Sequence, residues 1–394
     1  MTRIVLAATG DPLAAATWSG TPAGIARGLR ARGVAVAGVD ATPPRGVREA
    51  ALAVSALRSR SRVDAWYTPE LHRLRSMVAA RRLPAADGVM LMGAEFGLPA
   101  GTRYVTLSDL TLAQARATHP VFSRLSERVY AGFEARQREV YAGAVACCTA
   151  SHWTAASLVA EHGVAAEKVH VVGLGPNHTP APEGPGGEAR SPAAAGPAAA
   201  SPAAGFAAAA AARAEAAPHF LFVGREWERK NGPLLLRAFA RLRSEIPHAR
   251  LDLVGGHPPV SAPGVTGHGP LALDRPDEAA RVSALFGAAS CFVMPSEVEP
   301  FGLAYIEAAV AGVPSIATSV GGAGTIVAEG TGLLVPPGDE EALLGAMRTL
   351  ADPAVARRMG AAARERSRLF DWELVAARLL RALGLPGGEG AEYL

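Results

Sequence analysis

The sequence predicts an α/β fold built as two doubly wound halves, each on a parallel sheet, and three observations carry that reading. Short apolar runs alternate with stretches of helical period along most of the chain. Glycines recur where an apolar run ends and a helix is about to begin, as strand-to-helix loops require. The composition breaks sharply in mid-chain, and beyond the break the alternation starts again.

The first unit of the pattern is "RIVLAATG", a buried strand running into a glycine. The loop "DPLAAATWSGTP" follows, then the helix "AGIARGLRARG" and the strand "VAVAGVD". Strand, glycine loop, helix and strand form a βαβ unit, whose strands must be parallel. Further strands are predicted at "GVMLMG", "RYVTLSD" and "AGAVACCTA", with helices such as "SERVYAGFEARQREVYAG" between them and a last strand at "KVHVVGLGPN". This half spans 1–177.

Residues 178–217 hold 19 Ala and 6 Pro in 40 positions, too little large apolar surface to fold as strands or a core helix, so a flexible insertion is expected. The second half, 218–370, repeats the alternation. Strands are predicted at "HFLFVG", "ARLDLVGG", "SCFVMPSE", "PSIATSV" and "TGLLVPPGD", with helices between them. A terminal amphipathic helix, "FDWELVAARLLRAL", lies in 371–394. In doubly wound sheets ligands bind outside the carboxyl ends of the strands, so two such halves are expected to hold ligands in a cleft between them.

Composition narrows the function classes. The chain has 394 residues, 49% of them hydrophobic, enough for two cores. A net charge of +3 without a dense basic stripe interleaved with aromatics argues against nucleic acid. Cys147, Cys148 and Cys291 lack metal-ligand spacing and read as reduced packing residues. No clean transmembrane run and no signal-peptide pattern occur, so a cytoplasmic protein is expected; no apolar or strongly basic surface helix stands out for membrane docking.

Four loops carry candidate chemistry. "VGREWERKNG" places Arg225 and Lys230 after a strand, a fork and a point charge suited to phosphate oxygens. Read alone, it also fits a solvated charged turn. "SEVEPFGLAYIEA" sets Glu299 and Glu307 eight positions apart around Pro300. Pro300 is expected to start a helix whose amides at Phe301, Gly302 and Leu303 form an anion site. An ionised Glu299 only accepts hydrogen bonds, and sugar hydroxyls donate them. Two solvated glutamates would also account for this pair. "SVGGAG" (319–324) and "WSGTP", where Gly20 begins a helix, are weaker signals of the same kind.

Together these residues resemble the retaining GT-B glycosyltransferases of the family 4 group. The resemblance is strongest over 218–340, where "VGREWERKNGPLLLRAF", "MPSEVEPFGLAYIEAAVAGVPSIAT", "VGG" and "TGLLVPPGD" stand in the family order. It implies two Rossmann-like domains facing across a cleft, the terminal helix returning to the N-terminal domain. It further implies that Arg225 and Lys230 grip a donor diphosphate, Glu299 binds sugar hydroxyls and Glu307 binds the ribose. Phe301, Gly302, Leu303 and Gly20 would complete the cradle, with Gly267 beside the nucleobase. The chain departs from the family pattern at three places. "VTLSDLTLAQ" stands where many members have an acceptor-side histidine, which leaves Asp109 as the acceptor-side candidate. Gly324 and Thr325 replace a Pro-Glu, and Ser19 replaces a glycine.

The activity so implied is metal-independent glycosyl transfer with retention, from a sugar nucleotide and without a cofactor. A small metabolite or natural product is the expected acceptor, with a lipid or polysaccharide acceptor, or a non-catalytic sugar-nucleotide-binding protein, as alternatives.

Overall fold

The computed structural model describes residues 1–59, 61, 63–177 and 217–394, so all but the last position of the expected 178–217 insertion lies outside the described residues. The chain divides into two compact units, Met1–Gly175 with Leu369–Leu394, and Pro176–Arg368.

The first unit holds β1 (Arg3–Ala8), β2 (Ala35–Asp40), β3 (Gly88–Met92), β4 (Tyr104–Ser108), β5 (Ala146–Thr149) and β6 (Val169–Val171). They form one parallel sheet in the order β2-β1-β3-β4-β5-β6. β3, β4 and β5 are buried at every residue, which is why they read as unbroken apolar runs rather than alternating ones. The order reverses between β1 and β3, because the chain leaves β1 first towards β2 and then returns to its other side.

The helix Trp372–Leu383 belongs to this unit. Gly24 and Gly28 on the helix Thr21–Ala31 let Trp372 approach so closely that a Cβ at either would lie within 2.3 Å of it. Arg378, 2% exposed, ties the chain end down by donating to the carbonyls of Val172 (3.0 Å), Leu369 (2.7 Å) and Glu392 (2.6 Å). The helix Arg45–Ser59 exposes Val47, Val54 and Leu57, spaced to share one helix face, beside Arg45 and Arg48. These three form a small exposed apolar patch on a helix of mixed composition.

The second unit holds β7 (His219–Gly224), β8 (Arg250–Gly255), β9 (Val265–Gly269), β10 (Cys291–Met294), β11 (Ser315–Thr318) and β12 (Gly332–Val335). Its parallel sheet runs β12-β11-β10-β7-β8-β9, reversing between β7 and β10. β9 was not expected as a strand. "VTGHG" has no apolar alternation and pairs only with β8, as an edge strand with a register shift at Leu253/Val254.

Cys147, Cys148 and Cys291 are free and buried in β5 and β10. Burial pushes each thiol above its ordinary value, which suits packing rather than reactivity. Among the described residues, no helix is long and apolar enough to cross a membrane.

Candidate functional site

At the switch point of the second sheet, the loop after β7 and the segment after β10 come together around one carboxylate. Glu299 is 6% exposed. Its Oε2 accepts from Lys230 Nζ at 3.1 Å and from Ser296 Oγ at 3.2 Å, and lies 3.6 Å from Arg229 Nη1. No described residue donates to its Oε1. A buried carboxylate is costly unless paired, and here the pairing occupies one oxygen and leaves the other available.

Backbone geometry fixes this arrangement. Glu226 to Gly232 turn helically, with Lys230 N donating to Glu226 O and Gly232 N to Trp227 O. The turn is clamped to the second segment where Glu297 N donates to Arg229 O (3.0 Å) and Arg229 Nη1 to Val298 O (3.0 Å). Gly224, at the end of β7, leaves room for the Lys230 stem to cross it. From below, Tyr305 donates its hydroxyl to Met294 O (2.7 Å), and burial together with the Glu299 charge holds its phenol well above the ordinary range.

The glycine loop 319–324 completes the frame. Gly321 forms an isolated parallel bridge with Glu299, and Gly322 N donates to Glu299 O at 2.8 Å. Gly321 has φ +97°, and a Cβ there would lie 2.2 Å from Glu299 O. The loop that carried little signal by itself in the sequence is therefore the support of the central carboxylate.

The expected helix start is corrected. The helix is Leu303–Val310, with Gly302 as its left-handed N-cap at φ 91°, so Pro300 and Phe301 precede it. Phe301 is buried, and of the three amides expected in the helix only that of Leu303 belongs to it. Glu307 sits in the second turn of this helix and is 7% exposed.

Of the other expected residues, Arg225 and Gly267 belong to the second unit and Asp109 and Gly20 to the first. Arg225 is exposed and makes no hydrogen bond or ion pair with a described residue. Gly267 lies on β9, two strands from β7, against His257, whose Nε2 accepts from Gly269 N (3.0 Å). In the first unit, Asp109 follows β4, where Thr154 Oγ1 donates to its backbone carbonyl (2.7 Å).

Gly20 caps the helix Thr21–Ala31 with φ 83°, after Trp18 and Ser19 at φ 49° and 51°. Three successive left-handed residues make the position of Ser19 one that favours glycine. A non-glycine residue there costs about 1–2 kcal/mol, part of which glycine returns as unfolded-chain entropy. Ser19→Gly is expected to raise stability by up to about 1 kcal/mol in denaturant titration. A loss of stability would show that the serine side chain holds the turn.

Sequence reasoning missed Arg229 and Ser296. Arg229 stood among charges that fitted a solvated turn, and an isolated serine carries no signal of its own.

Residues 217–352 match the family described as Glycosyl transferases group 1. The D-inositol 3-phosphate glycosyltransferase of Streptomyces avermitilis is 38% identical over 180 residues, 40% of this chain and 37% of that protein. The glycogen synthase of Mycobacterium tuberculosis is 36% identical over 172 residues, 40% of each chain. The match thus spans about two fifths of each of these relatives. In backbone, the chain is similar to sucrose-phosphate synthase from Thermosynechococcus elongatus, with TM-score 0.64 and 23% identity over 97% of this chain and 98% of that one. It is also similar to WaaG, a glycosyltransferase involved in lipopolysaccharide biosynthesis, with TM-score 0.60 and 17% identity over 98% and 100%. The solved structures share the fold, and the family match covers the unit that carries Lys230 and Glu299. The fold is thus GT-B, and within the second unit residues 217–352 are similar to the glycosyl transferases group 1 family.

Proposed function

We propose that the chain transfers a sugar from a nucleotide-diphosphate donor to an acceptor hydroxyl, with retention of configuration and without a divalent metal. The observation that carries this reading is the divided Glu299 carboxylate: Oε2 is held by Lys230 and Ser296, while Oε1 is left to accept from a sugar hydroxyl. The family match, and glycosyl transfer in the names of the relatives, support the same class.

Lys230 and the exposed Arg225 bind the diphosphate, assisted by the amide of Leu303. Glu307 takes the ribose hydroxyls, and Gly267 lies beside the base. The backbone of Phe301 and Gly302 also meets the diphosphate, where Gly302 allows close approach; Gly20 is a further donor contact and Asp109 an acceptor contact.

As the anomeric C–O bond breaks, negative charge develops on the β-phosphate and positive charge on the sugar ring. The fixed cations stabilise the first in preorganised positions. The acceptor oxygen attacks the anomeric carbon from the face the phosphate leaves, and the departing phosphate oxygen takes the acceptor proton. A glycoside and a nucleoside diphosphate result, and no protein nucleophile is needed.

The acceptor is proposed to be a small soluble metabolite. A lipid-borne acceptor is the second reading, favoured by the exposed Val47, Val54 and Leu57 face of the helix Arg45–Ser59, which suits an interfacial helix.

The test is nucleotide release from a panel of sugar nucleotides and acceptors, with and without EDTA, and NMR of the product anomer. Release that survives EDTA and gives the donor's anomeric configuration is expected. Loss of turnover in EDTA defeats metal independence, and an inverted product defeats retention. Nucleotide binding without release under any acceptor favours the non-catalytic reading.

A further inference from the structure

The first unit holds a second polar centre, at its own switch point. Thr9 follows β1 and Glu95 lies just beyond β3, the two strands between which the sheet order reverses. Thr9 Oγ1 donates to Glu95 Oε2 at 3.0 Å, so both sides of the switch point are joined. Ligands of open parallel sheets bind at this position, outside the carboxyl ends of the strands.

Arg75, on the helix Pro69–Arg82, faces the pair with a side chain only 7% exposed. Its nearest acceptor is Glu95 Oε2 at 3.6 Å, which is an ion pair outside hydrogen-bond reach. A guanidinium has five N–H donors. None of those of Arg75 bonds to a described residue, and its Nε is fully buried without a partner. Native structures rarely leave a buried cation in this condition unless a ligand or water completes it. The Glu95 side chain, 32% exposed, keeps access to solvent beside it.

Two neighbours fit an incoming hydroxylated anion, one as a donor and one as an acceptor. Tyr67 feels both the Glu95 and the Arg75 charge, and burial and Glu95 raise its phenol above the ordinary value, so it stays a donor. Burial, then the Arg136 charge, lowers the His72 imidazole; it hydrogen-bonds to the Glu95 backbone, and its buried, unpartnered Nδ1 is an acceptor suited to a ligand hydroxyl. Trp18 borders the same place. Its Cη2 stands so close over Gly93, two residues before Glu95, that a Cβ on Gly93 would lie 3.0 Å from it. Its left-handed backbone is of the strained kind that clusters at ligand sites.

We propose that this centre is a ligand site for a hydroxylated ring carrying an oxyanion, a phosphate or a carboxylate. The oxyanion takes the Arg75 donors, adjacent hydroxyls donate to Glu95, and the ring lies against Trp18. Calling this ligand the acceptor rests on the glycosyltransferase reading, whereas its binding does not. The residues come from positions 9, 18, 75 and 95, with no motif to join them.

The test is calorimetric titration of the whole chain with D-glucose 6-phosphate, D-glucuronate and D-glucose, without nucleotide. At least one of the two anionic sugars is expected to bind, and glucose at least tenfold more weakly. Arg75→Gln is expected to weaken the anionic sugar at least tenfold. Glu95→Gln, which removes the competing carboxylate, is expected to hold or raise affinity for inorganic phosphate while reducing the preference for the sugar phosphate over phosphate. Lys230→Ala is expected to leave the sugar phosphate unaffected. Failure of both anionic sugars to bind, equal binding in Arg75→Gln, or loss in Lys230→Ala instead would overturn the proposal. If Arg75→Gln does not fold, the Glu95→Gln result decides alone. A parallel titration with nucleoside diphosphates separates the two readings: sugar-anion binding without nucleotide binding overturns the donor site and leaves this one standing.

Discussion

Arg225→Ala and Lys230→Ala are each expected to lower turnover on the order of 100- to 1000-fold, the usual loss when one preorganised electrostatic stabiliser is removed. The two variants test the diphosphate role in different ways. Arg225 is exposed and bonds to no described residue, so its removal disturbs no described contact and a lost rate reports on the substrate. Lys230 is largely buried and paired with Glu299. Removing it leaves a buried carboxylate with Ser296 and, at 3.6 Å, Arg229, so a stability loss of about 1–3 kcal/mol accompanies the lost rate. The double variant Lys230→Ala/Glu299→Gln removes both charges and should recover part of that stability but none of the rate. Near-wild-type turnover in either single variant contradicts the diphosphate assignment.

Gly321→Ala is the second large effect. Its φ of +97° lies where an alanine is strained, and the added Cβ would meet Glu299 O at 2.2 Å and Glu299 N at 3.0 Å. Backbone strain of this kind costs about 1–3 kcal/mol, and the contact can be relieved only by moving the backbone of Glu299. Denaturant titration should therefore show reduced stability, and kinetics a raised donor KM with a lowered kcat. Wild-type values in both would show that the glycine loop does not position the carboxylate.

The alternation of apolar runs and helical stretches made both sheets legible, because parallel strands buried on two faces cannot hide their composition. β9 escaped because an edge strand needs no apolar face, and "VTGHG" has none. Lys230 and Glu299 could be named separately, each from its place after a strand. What the sequence could not give was their contact across 69 positions, or that Arg229, one residue from Lys230, anchors the turn to Val298. The helix start was misplaced at Pro300 because proline suits a first turn. Gly302 in the left-handed region decides otherwise, and that is a property of the backbone rather than of composition. The Arg75 centre was invisible for a related reason: a buried unbonded guanidinium is a fact of packing, and an arginine in a basic helix reads as solvated.

The central claim is that the second unit binds a sugar nucleotide through the switch point between β7 and β10. The most direct measurement is the thermal midpoint of the chain with UDP, GDP, ADP and dTDP, for wild type and Glu307→Ala. A ligand at about 100 times its Kd should add roughly 2.7 kcal/mol, a readily seen shift. A rise with at least one nucleotide, weakened in Glu307→Ala, is the predicted result. No rise with any of the four, or a rise that Glu307→Ala leaves intact, would contradict it.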